Sequence, residues 1–322
     1  MLVVEVHKHG GPEALEVVER PAPTPGPGEI LIRQTAIGLN FLDTYFRSGL
    51  YPMPLPSILG SEGAGVVEAV GEGVTRFKTG DRVGYAGGAG AYAQVRVYKA
   101  DRAVRLPDAI SDETAAAVML KGMTAEYLVR QCFHVKPGHT LLVHAAAGGA
   151  GGFVVQWAKA LGARVIGTAG SSEKAAAART FGADEVILSR EEDIAQRVRA
   201  FTDGEGVDVV YDSVGKDTFD ASLASLKRRG WLVAFGNASG PPPPFDPLRL
   251  MHGGSLVLTR PTLADFIYST EALDACAAAV FDIIASGQLK PSIGQRFALR
   301  DAAEAHRALE SRQTVGATLL MP

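Results

Sequence analysis

Hydrophobic and polar positions change rhythm once along this chain. Up to about residue 100 the apolar positions come in short β-branched runs, Val3-Val4-Glu5-Val6, Glu29-Ile30-Leu31-Ile32-Arg33, Gly65-Val66-Val67-Glu68-Ala69-Val70 and Asp81-Arg82-Val83-Gly84-Tyr85, each cut off by glycine or proline. Runs so short and so often punctuated predict an antiparallel β-rich domain. From about Met119 the rhythm becomes an alternation of strands and helices. Compact apolar runs at 141–145, 164–168, 185–188, 207–211 and 230–235 suit buried parallel strands. Between them, Phe153 to Leu161, Ser172 to Phe181, Glu191 to Phe201 and Phe219 to Lys227 read as helices. The expected fold class is therefore α/β, a β-rich domain joined to a doubly wound parallel sheet.

The four prolines from Pro241 to Pro244 can neither continue a helix nor donate to a ladder, so they mark a loop after the fifth parallel strand. A last apolar run covers Ser255 to Pro261. The segments Thr270 to Ser286 and Leu299 to Ser311 then read as helices that return to the first domain. The boundaries drawn from this pattern are 1–120, 121–260 and 261–322. A length of 322 residues agrees with two cores instead of one.

Composition narrows the possible functions. With 47% hydrophobic and 21% charged residues and a mean hydropathy of +0.10, the chain has the make-up of an ordinary packed globular enzyme. A net charge of -3 provides no positive field for a phosphate backbone, so nucleic-acid binding is excluded. The start, Met1-Leu-Val-Val-Glu-Val-His-Lys, lacks a charged-then-apolar leader, and no run of about eighteen apolar residues exists to span a membrane. A cytoplasmic location is expected. Cys132 and Cys276 are the only cysteines, too few for a disulfide framework, and read as partly buried free thiols. Asparagine occurs twice, as Asn40 and Asn237. Depletion of heat-labile amides is a thermophile-like trait, and it draws attention to the two that persist.

The strand at 141–145 runs into Ala145-Ala-Ala-Gly148-Gly149-Ala150-Gly151-Gly152 and then into a helical stretch. Glycines at such a turn let the backbone approach a pyrophosphate, whose charge the next helix N-terminus stabilises. Ala145 stands where the usual fingerprint has its first glycine, so the strand–turn–helix context carries the dinucleotide reading. The tip of the second strand, Thr168-Ala-Gly-Ser-Ser172, has no acid to hold ribose hydroxyls. Glu173 suits a helix N-terminus, and Lys174 follows it. An acid-free tip beside a cation would admit a 2′-phosphate, so NADPH is the expected cofactor.

Asn40-Phe-Leu-Asp43-Thr-Tyr45-Phe-Arg47-Ser-Gly-Leu-Tyr51-Pro52 packs an amide, a carboxylate, phenols and a guanidinium into one stretch, read as a loop that carries a site. This segment resembles the NADPH:quinone oxidoreductase branch, related to zeta-crystallin, of the zinc-independent medium-chain dehydrogenase/reductase superfamily. So do Leu59 to Gly65, Gly80 to Gly84, Lys121 to Ala125, the 145–151 turn, Tyr211 to Gly215, Phe235 to Gly240 and Glu310 to Arg312. The resemblance extends over essentially the whole chain. It implies a GroES-like catalytic domain, a Rossmann domain, and a homodimer joined through the sheet edge near Ser255 to Arg260, where an apolar edge strand needs cover in any case.

Zinc-dependent relatives hold their metal with a cysteine and a Gly-His-Glu histidine. Here Asn40 and Ser61 stand in those regions, and no metal site is expected. The seven histidines, including the pairs His7 with His9 and His139 with His144, are given ordinary strand or surface roles. By matching positions, the resemblance places Asn40, Tyr51, Ser61 and Thr124 around the nicotinamide. It places Gly148, Gly149, Ala150 and Gly151 at the pyrophosphate, and Ser171, Lys174 and Arg312 at the 2′-phosphate. Ser189 stands where close relatives often carry tyrosine beside that phosphate. Ser213, Phe235, Asn237 and Ser239 complete the cofactor set.

A quinone accepts hydride without strong acid catalysis, and its product oxyanion can be neutralised by solvent. Tyr45 and Tyr51 are candidate donors to the substrate oxygen, and Asp43 is expected to orient the loop or Arg47. Equally, Asp43 and Arg47 could serve only to pin the loop. Two other functions stay open: reduction of an enone or 2-alkenal double bond with NADPH, and a non-catalytic NADPH-binding structural protein.

Overall fold

The computed structural model describes residues 1–312 and 314–322, which divide into two compact units. Unit 1 comprises Met1–Met123, Ile267–Ala285 and Pro291–Pro322, and unit 2 comprises Thr124–Phe266 and Ser286–Lys290.

Unit 1 is β-rich, as its punctuated runs predicted. Its main sheet runs in the order Ile293–Ala298, Ala317–Met321, Glu29–Leu39, Glu62–Val70, Arg82–Ala86 and Val104–Arg105, with Val95–Lys99 also paired to Glu29–Leu39. Pairing is antiparallel except between Ile293–Ala298 and Ala317–Met321, which run parallel. A smaller sheet joins Leu15–Glu19, Leu2–Val6 and Ser57–Ile58. Inward positions of these strands, among them Val4, Ile30, Ile32, Leu39, Val67, Tyr85 and Leu320, form one core with Leu59 and Leu299. At about 25 cal/mol per Å², such burial is what holds a sheet of short strands together.

Two features depart from the sequence pattern. The polar stretch after Leu39 is not a loop but the helix Phe41–Ser48. It starts because the Asp43 carboxylate reaches back 2.9 Å to the Asn40 N–H, and it stops at Gly49, whose left-handed φ of 82° suits a residue without a Cβ. A second helix, Asp112–Glu126, went unread. Ala115, Ala116, Ala117, Val118, Met119 and Met123 are all buried, so the segment has no polar face to reveal its period.

Unit 2 is the expected doubly wound sheet. Six parallel strands lie in the order Glu185–Leu188, Arg164–Ala169, Thr140–Val143, Val207–Asp212, Leu226–Ala234 and Val257–Thr259. Leu142, Ile166, Ile187, Val210 and Leu232 fill its core together with Val198, Phe219 and Leu223 from two covering helices. Ser171 and Asp193 cap the helices Ser172–Thr180 and Ile194–Phe201 by accepting from Lys174 N and Gln196 N. The helix expected over Phe219 to Lys227 ends at Ser225, since Leu226 and Lys227 already belong to the next strand. Lys227 there pairs with Asp208 of the neighbouring strand. The segment Leu299 to Ser311 opens with a tighter turn, Leu299–Asp301, before the helix Ala302–Glu310.

Candidate active site

In unit 2 the predicted residues gather at the carboxyl ends of the parallel strands, the edge where open α/β sheets bind ligands. Thr140–Val143 leads through His144 into the glycine turn, and the helix Gly149–Ala160 begins there with no side chain capping its first N–H groups. Those donors are left for a ligand or solvent. The turn is shaped by close approach: a Cβ on Gly151 would lie 2.3 Å from the Ala145 carbonyl oxygen. Ala145 itself holds φ at 50°, a conformation costly for a residue with a Cβ. A buried chain of polar side chains supports it. Thr168 Oγ1 accepts from Ala145 N at 3.3 Å and meets His144 Nδ1 at 3.1 Å. His144 Nε2 meets Ser222 Oγ at 2.9 Å, and Ser222 donates to Asp212 at 2.8 Å. Burial holds the His144 imidazole below its ordinary pKa. Asp212 also accepts from Val214 N, Gly215 N and the Thr218 hydroxyl, fixing the loop that contains Ser213.

The remaining unit 2 residues surround the same edge. Ser171 caps its helix, with Lys174 one turn in. Ser189 is exposed and donates back to the Ala169 carbonyl at 3.3 Å. Phe235, Asn237 and Ser239 follow the strand Leu226–Ala234 and are half-buried. Ser239 Oγ donates to Val214 O at 2.9 Å and accepts from Asp217 N at 3.0 Å, so it ties the 235–240 loop to the 213–217 loop. Thr124, half-buried in the helix Asp112–Glu126, opens the unit.

In unit 1 the strand end at Asn40 and the helix Phe41–Ser48 bring Asn40, Asp43 and Ser61 into direct contact. Asp43 is fully buried, and three donors converge on it: Asn40 N at 2.9 Å, Tyr92 Oη at 3.1 Å and Ser61 Oγ at 3.0 Å. Burial nevertheless outweighs them and pushes the carboxyl up to about 6. Behind Asp43 runs a further chain: Tyr92 Oη meets His306 Nε2 at 2.9 Å, and Arg47 Nη1 meets His306 Nδ1 at 2.8 Å. A guanidinium only donates, so His306 Nδ1 accepts and its proton sits on Nε2. That proton points at the Tyr92 oxygen, and the tyrosine donates in turn to Asp43. Burial, with the Arg47 charge beside it, keeps His306 neutral down to about 3. Arg47 does not touch Asp43, contrary to one of the expectations. It binds Gly10 O at 3.1 Å, His306 and Glu310, the last at 2.6 Å.

A second buried cluster adjoins the first. Glu62, with no exposed surface, accepts from Asn40 Nδ2 at 2.9 Å and Leu120 N at 2.6 Å, and pairs with the Lys121 ammonium. Gly38 makes room for it, since a Cβ there would lie 2.3 Å from Glu62 Oε1. Tyr45 is buried edge-on against the half-buried Tyr51, with ring centroids 5.3 Å apart. Arg312 is exposed in the turn after the helix Ala302–Glu310, at a φ of 59°.

Sequence reasoning missed Tyr92, Lys121, Glu62 and His306 as parts of this cluster. His306, fully buried, has neither a strand nor a surface role. One signal was present: Glu62 opens an otherwise uncharged run, Gly63-Ala-Gly-Val-Val67, and Lys121 closes a similar one, Ala115 to Leu120. Two opposite charges isolated in apolar sequence are candidates for each other's partner.

Comparison with known proteins fits this layout. Residues 26–108 match the alcohol dehydrogenase GroES-like domain, and residues 149–282 match the zinc-binding dehydrogenase family. A quinone oxidoreductase of Pseudomonas aeruginosa is 53% identical over 99% of both chains. A 2-haloacrylate reductase of a Burkholderia species is 44% identical over 100% of this chain and 99% of its own. The crystal structure of an Escherichia coli quinone oxidoreductase complexed with NADPH superposes with a TM-score of 0.98 at 50% identity, covering both chains fully. The zinc in the second family's description does not suit the residues present. Asn40 and Ser61 turn their donor hydrogens toward Glu62 and Asp43, Lys121 supplies the positive charge beside Glu62, and no group of three His, Cys, Asp or Glu residues among the described residues is placed to hold a metal ion.

Proposed function

This chain belongs to the quinone oxidoreductase family, and from that premise we propose that it reduces quinones with NADPH. The observation that carries the proposal is the uncapped start of the helix Gly149–Ala160 at a glycine turn too tight for a Cβ at Gly151, beside a strand tip without an acid. Gly148, Gly149, Ala150 and Gly151 would hold the pyrophosphate, and Ser171 and Lys174 the 2′-phosphate. Ser189, Ser213, Phe235, Asn237 and Ser239 would line the same edge. Asn40, Tyr51, Ser61 and Thr124 are assigned to the nicotinamide, and Arg312 joins Ser171 and Lys174 at the 2′-phosphate. When bound, the reduced nicotinamide supplies the hydride.

The chain's own part is positioning. Ser61 and the Asn40 amide spend their hydrogens on Asp43 and Glu62, so each offers an acceptor oxygen, not a proton. Asp43 is a positioning residue in this scheme. The Tyr45 and Tyr51 phenols, or solvent, are the candidate donors to a product oxyanion. A second reading, hydride delivery to an activated carbon–carbon double bond, is supported by the 44% identity to a 2-haloacrylate reductase.

We further place the enzyme in the cytoplasm as a homodimer. Its two cysteines are free thiols, which suits a reducing compartment. No helix among the described residues is long and apolar enough to cross a membrane. The strand Val257–Thr259 ends the sheet of unit 2 with apolar, half-buried side chains, and Leu248 and Met251 just before it are exposed. Light scattering reads the mass directly.

Activity is tested by following oxidation of NADPH and of NADH against benzoquinone, phenanthrenequinone, a medium-chain alkenal and 2-haloacrylate. Quinone turnover with NADPH is the expected result. Faster reduction of the alkenes would select the second reading, and NADPH binding without turnover of any acceptor would refute both.

A further inference from the structure

Resting on the NADPH reading above, we propose that Arg190 is the residue that selects the phosphorylated dinucleotide, gripping its 2′-phosphate above Gly170. The strands Arg164–Ala169 and Glu185–Leu188 run parallel with Ala169 opposite Leu188, so they end side by side. Ser189 N then donates to Ala169 O at 3.0 Å, which brings the next residue against the tip of the first strand. The Arg190 side chain lies over that tip. A Cβ placed on Gly170 would be 3.6 Å from Arg190 Nε and 3.9 Å from its Cζ, so the bare glycine backbone forms the floor beneath the guanidinium.

This guanidinium is exposed and, among the described residues, makes no hydrogen bond or ion pair. Several arginines of unit 2 are spent on the fold: Arg164 and Arg199 bind backbone carbonyls, and Arg130, Arg197 and Arg249 pair with Glu126, Glu192 and Asp220. Arg190 is held in place by its backbone and left with its donors open. Around it the tip carries Ser171 and Lys174, while Ser189 turns its hydroxyl back to Ala169 O. Of the nearby acids, Glu192 is occupied by Leu188 N at 2.7 Å and by Arg197 at 2.8 Å, Glu191 is exposed beside Arg190 in the chain, and Glu173 sits exposed in the first turn of the helix Ser172–Thr180.

A ribose with free hydroxyls wants an acidic side chain at the strand tip, and residues 168–172 contain none. A phosphate monoester wants a planar fork of N–H donors with a charge behind it, which is what a guanidinium presents. Loss of one such charged contact weakens binding by about 10- to 100-fold, and the loss should fall on the phosphorylated dinucleotide alone.

The test measures dissociation constants of the full-length chain for NADPH, NADH and adenosine carrying 2′- and 5′-phosphates, by calorimetry, for wild type, Arg190→Ala and Arg190→Lys. Arg190→Ala should bind NADPH and the bisphosphate roughly 10- to 100-fold more weakly and NADH within about twofold of wild type, with Arg190→Lys in between. Should wild type bind neither dinucleotide, the NADPH reading itself fails. Should it bind NADPH tightly while Arg190→Ala binds it equally well, or loses NADH in the same proportion, that reading stands and the role given to Arg190 is overturned. The side chain is exposed, so an unchanged circular dichroism spectrum is expected to accompany the affinity change.

Discussion

Replacing Lys121 with methionine tests whether the charge pair at the heart of unit 1 is needed in the way its burial implies. Glu62 has no exposed surface, and its carboxylate rests on the Lys121 ammonium, Asn40 Nδ2 and Leu120 N. Methionine keeps the length of the side chain and removes the charge. Glu62 is then a desolvated anion facing two neutral donors, and stranding one partner of a buried pair costs about 3–5 kcal/mol. Coulomb's law gives the same scale, about 4 kcal/mol for unit charges 4 Å apart at an effective dielectric of 20. In a unit of this size each kcal/mol moves the melting midpoint by roughly 2–4 °C, so a drop of about 6–20 °C is expected. Glu62→Gln in the same chain removes the stranded charge while leaving an acceptor for Asn40 and Leu120. The double variant should therefore recover to within about 1 kcal/mol of wild type. The assay is urea unfolding followed by the near-ultraviolet circular dichroism of the unit 1 tyrosines, because both tryptophans, Trp157 and Trp231, lie in unit 2. A single variant that loses less than about 1 kcal/mol, or a double variant no more stable than the single, refutes the reasoning.

Two further outcomes are expected. The Asp43 carboxyl sits at about 6 against an ordinary 3.8, so the folded chain keeps a proton that the unfolded chain has released. Its stabilisation is complete below about pH 4 and is lost as pH rises through about 6, a difference of about 2 to 3 kcal/mol. His306 works in the opposite sense: held neutral to about 3, it contributes fully above its ordinary 6.5 and loses that as pH falls. Comparing wild type with Asp43→Asn cancels His306, and the stability gap should move in favour of wild type by about 2 to 3 kcal/mol between about pH 7 and pH 4; a gap independent of pH would contradict the burial account. In unit 2, Gly151→Ala places a Cβ 2.3 Å from the Ala145 carbonyl oxygen, so the turn must open. NADPH affinity measured by fluorescence titration should fall at least about 10-fold, whereas an unchanged constant would remove the turn from the cofactor site.

How much of this was legible in the sequence differs between the units, for physical reasons. The sheet of unit 2 could be read because each strand is a compact apolar run, and its helices start at side chains, Ser171 and Asp193, that cap by local bonding. One overrun, Leu226 and Lys227 taken as helix, arose because a polar run suits a helix surface as well as an exposed strand. What decides it is a tertiary contact, the pairing of Lys227 with Asp208. In unit 1 the helix Asp112–Glu126 was hidden for the opposite reason. Buried on nearly every side, it lacks the contrast between faces that makes a period visible.

The candidate site of unit 1 was found at Asn40, Asp43 and Ser61, but its chemistry was not, because that chemistry is made by residues far apart in the chain. Lys121 stands 59 positions from Glu62, and His306 stands 259 from Arg47. Their effect is to give two neighbouring carboxyls different characters. Glu62 has an ammonium against it and serves as an anchoring anion. Asp43 has no ion-pair partner among the described residues and relies on dipoles, Ser61, Tyr92 and the Asn40 N–H, which together with the smaller effect of the Lys121 charge do not offset its burial. The orientation of those dipoles is itself imposed from outside. Arg47 cannot accept a hydrogen bond, so His306 must donate to Tyr92, Tyr92 to Asp43, and Ser61 finds Asp43 ready to accept. A polar site whose donors all point inward holds its shape by spending its protons on itself. Such a site suits a reaction in which the hydride is brought by a cofactor and the protein's task is orientation.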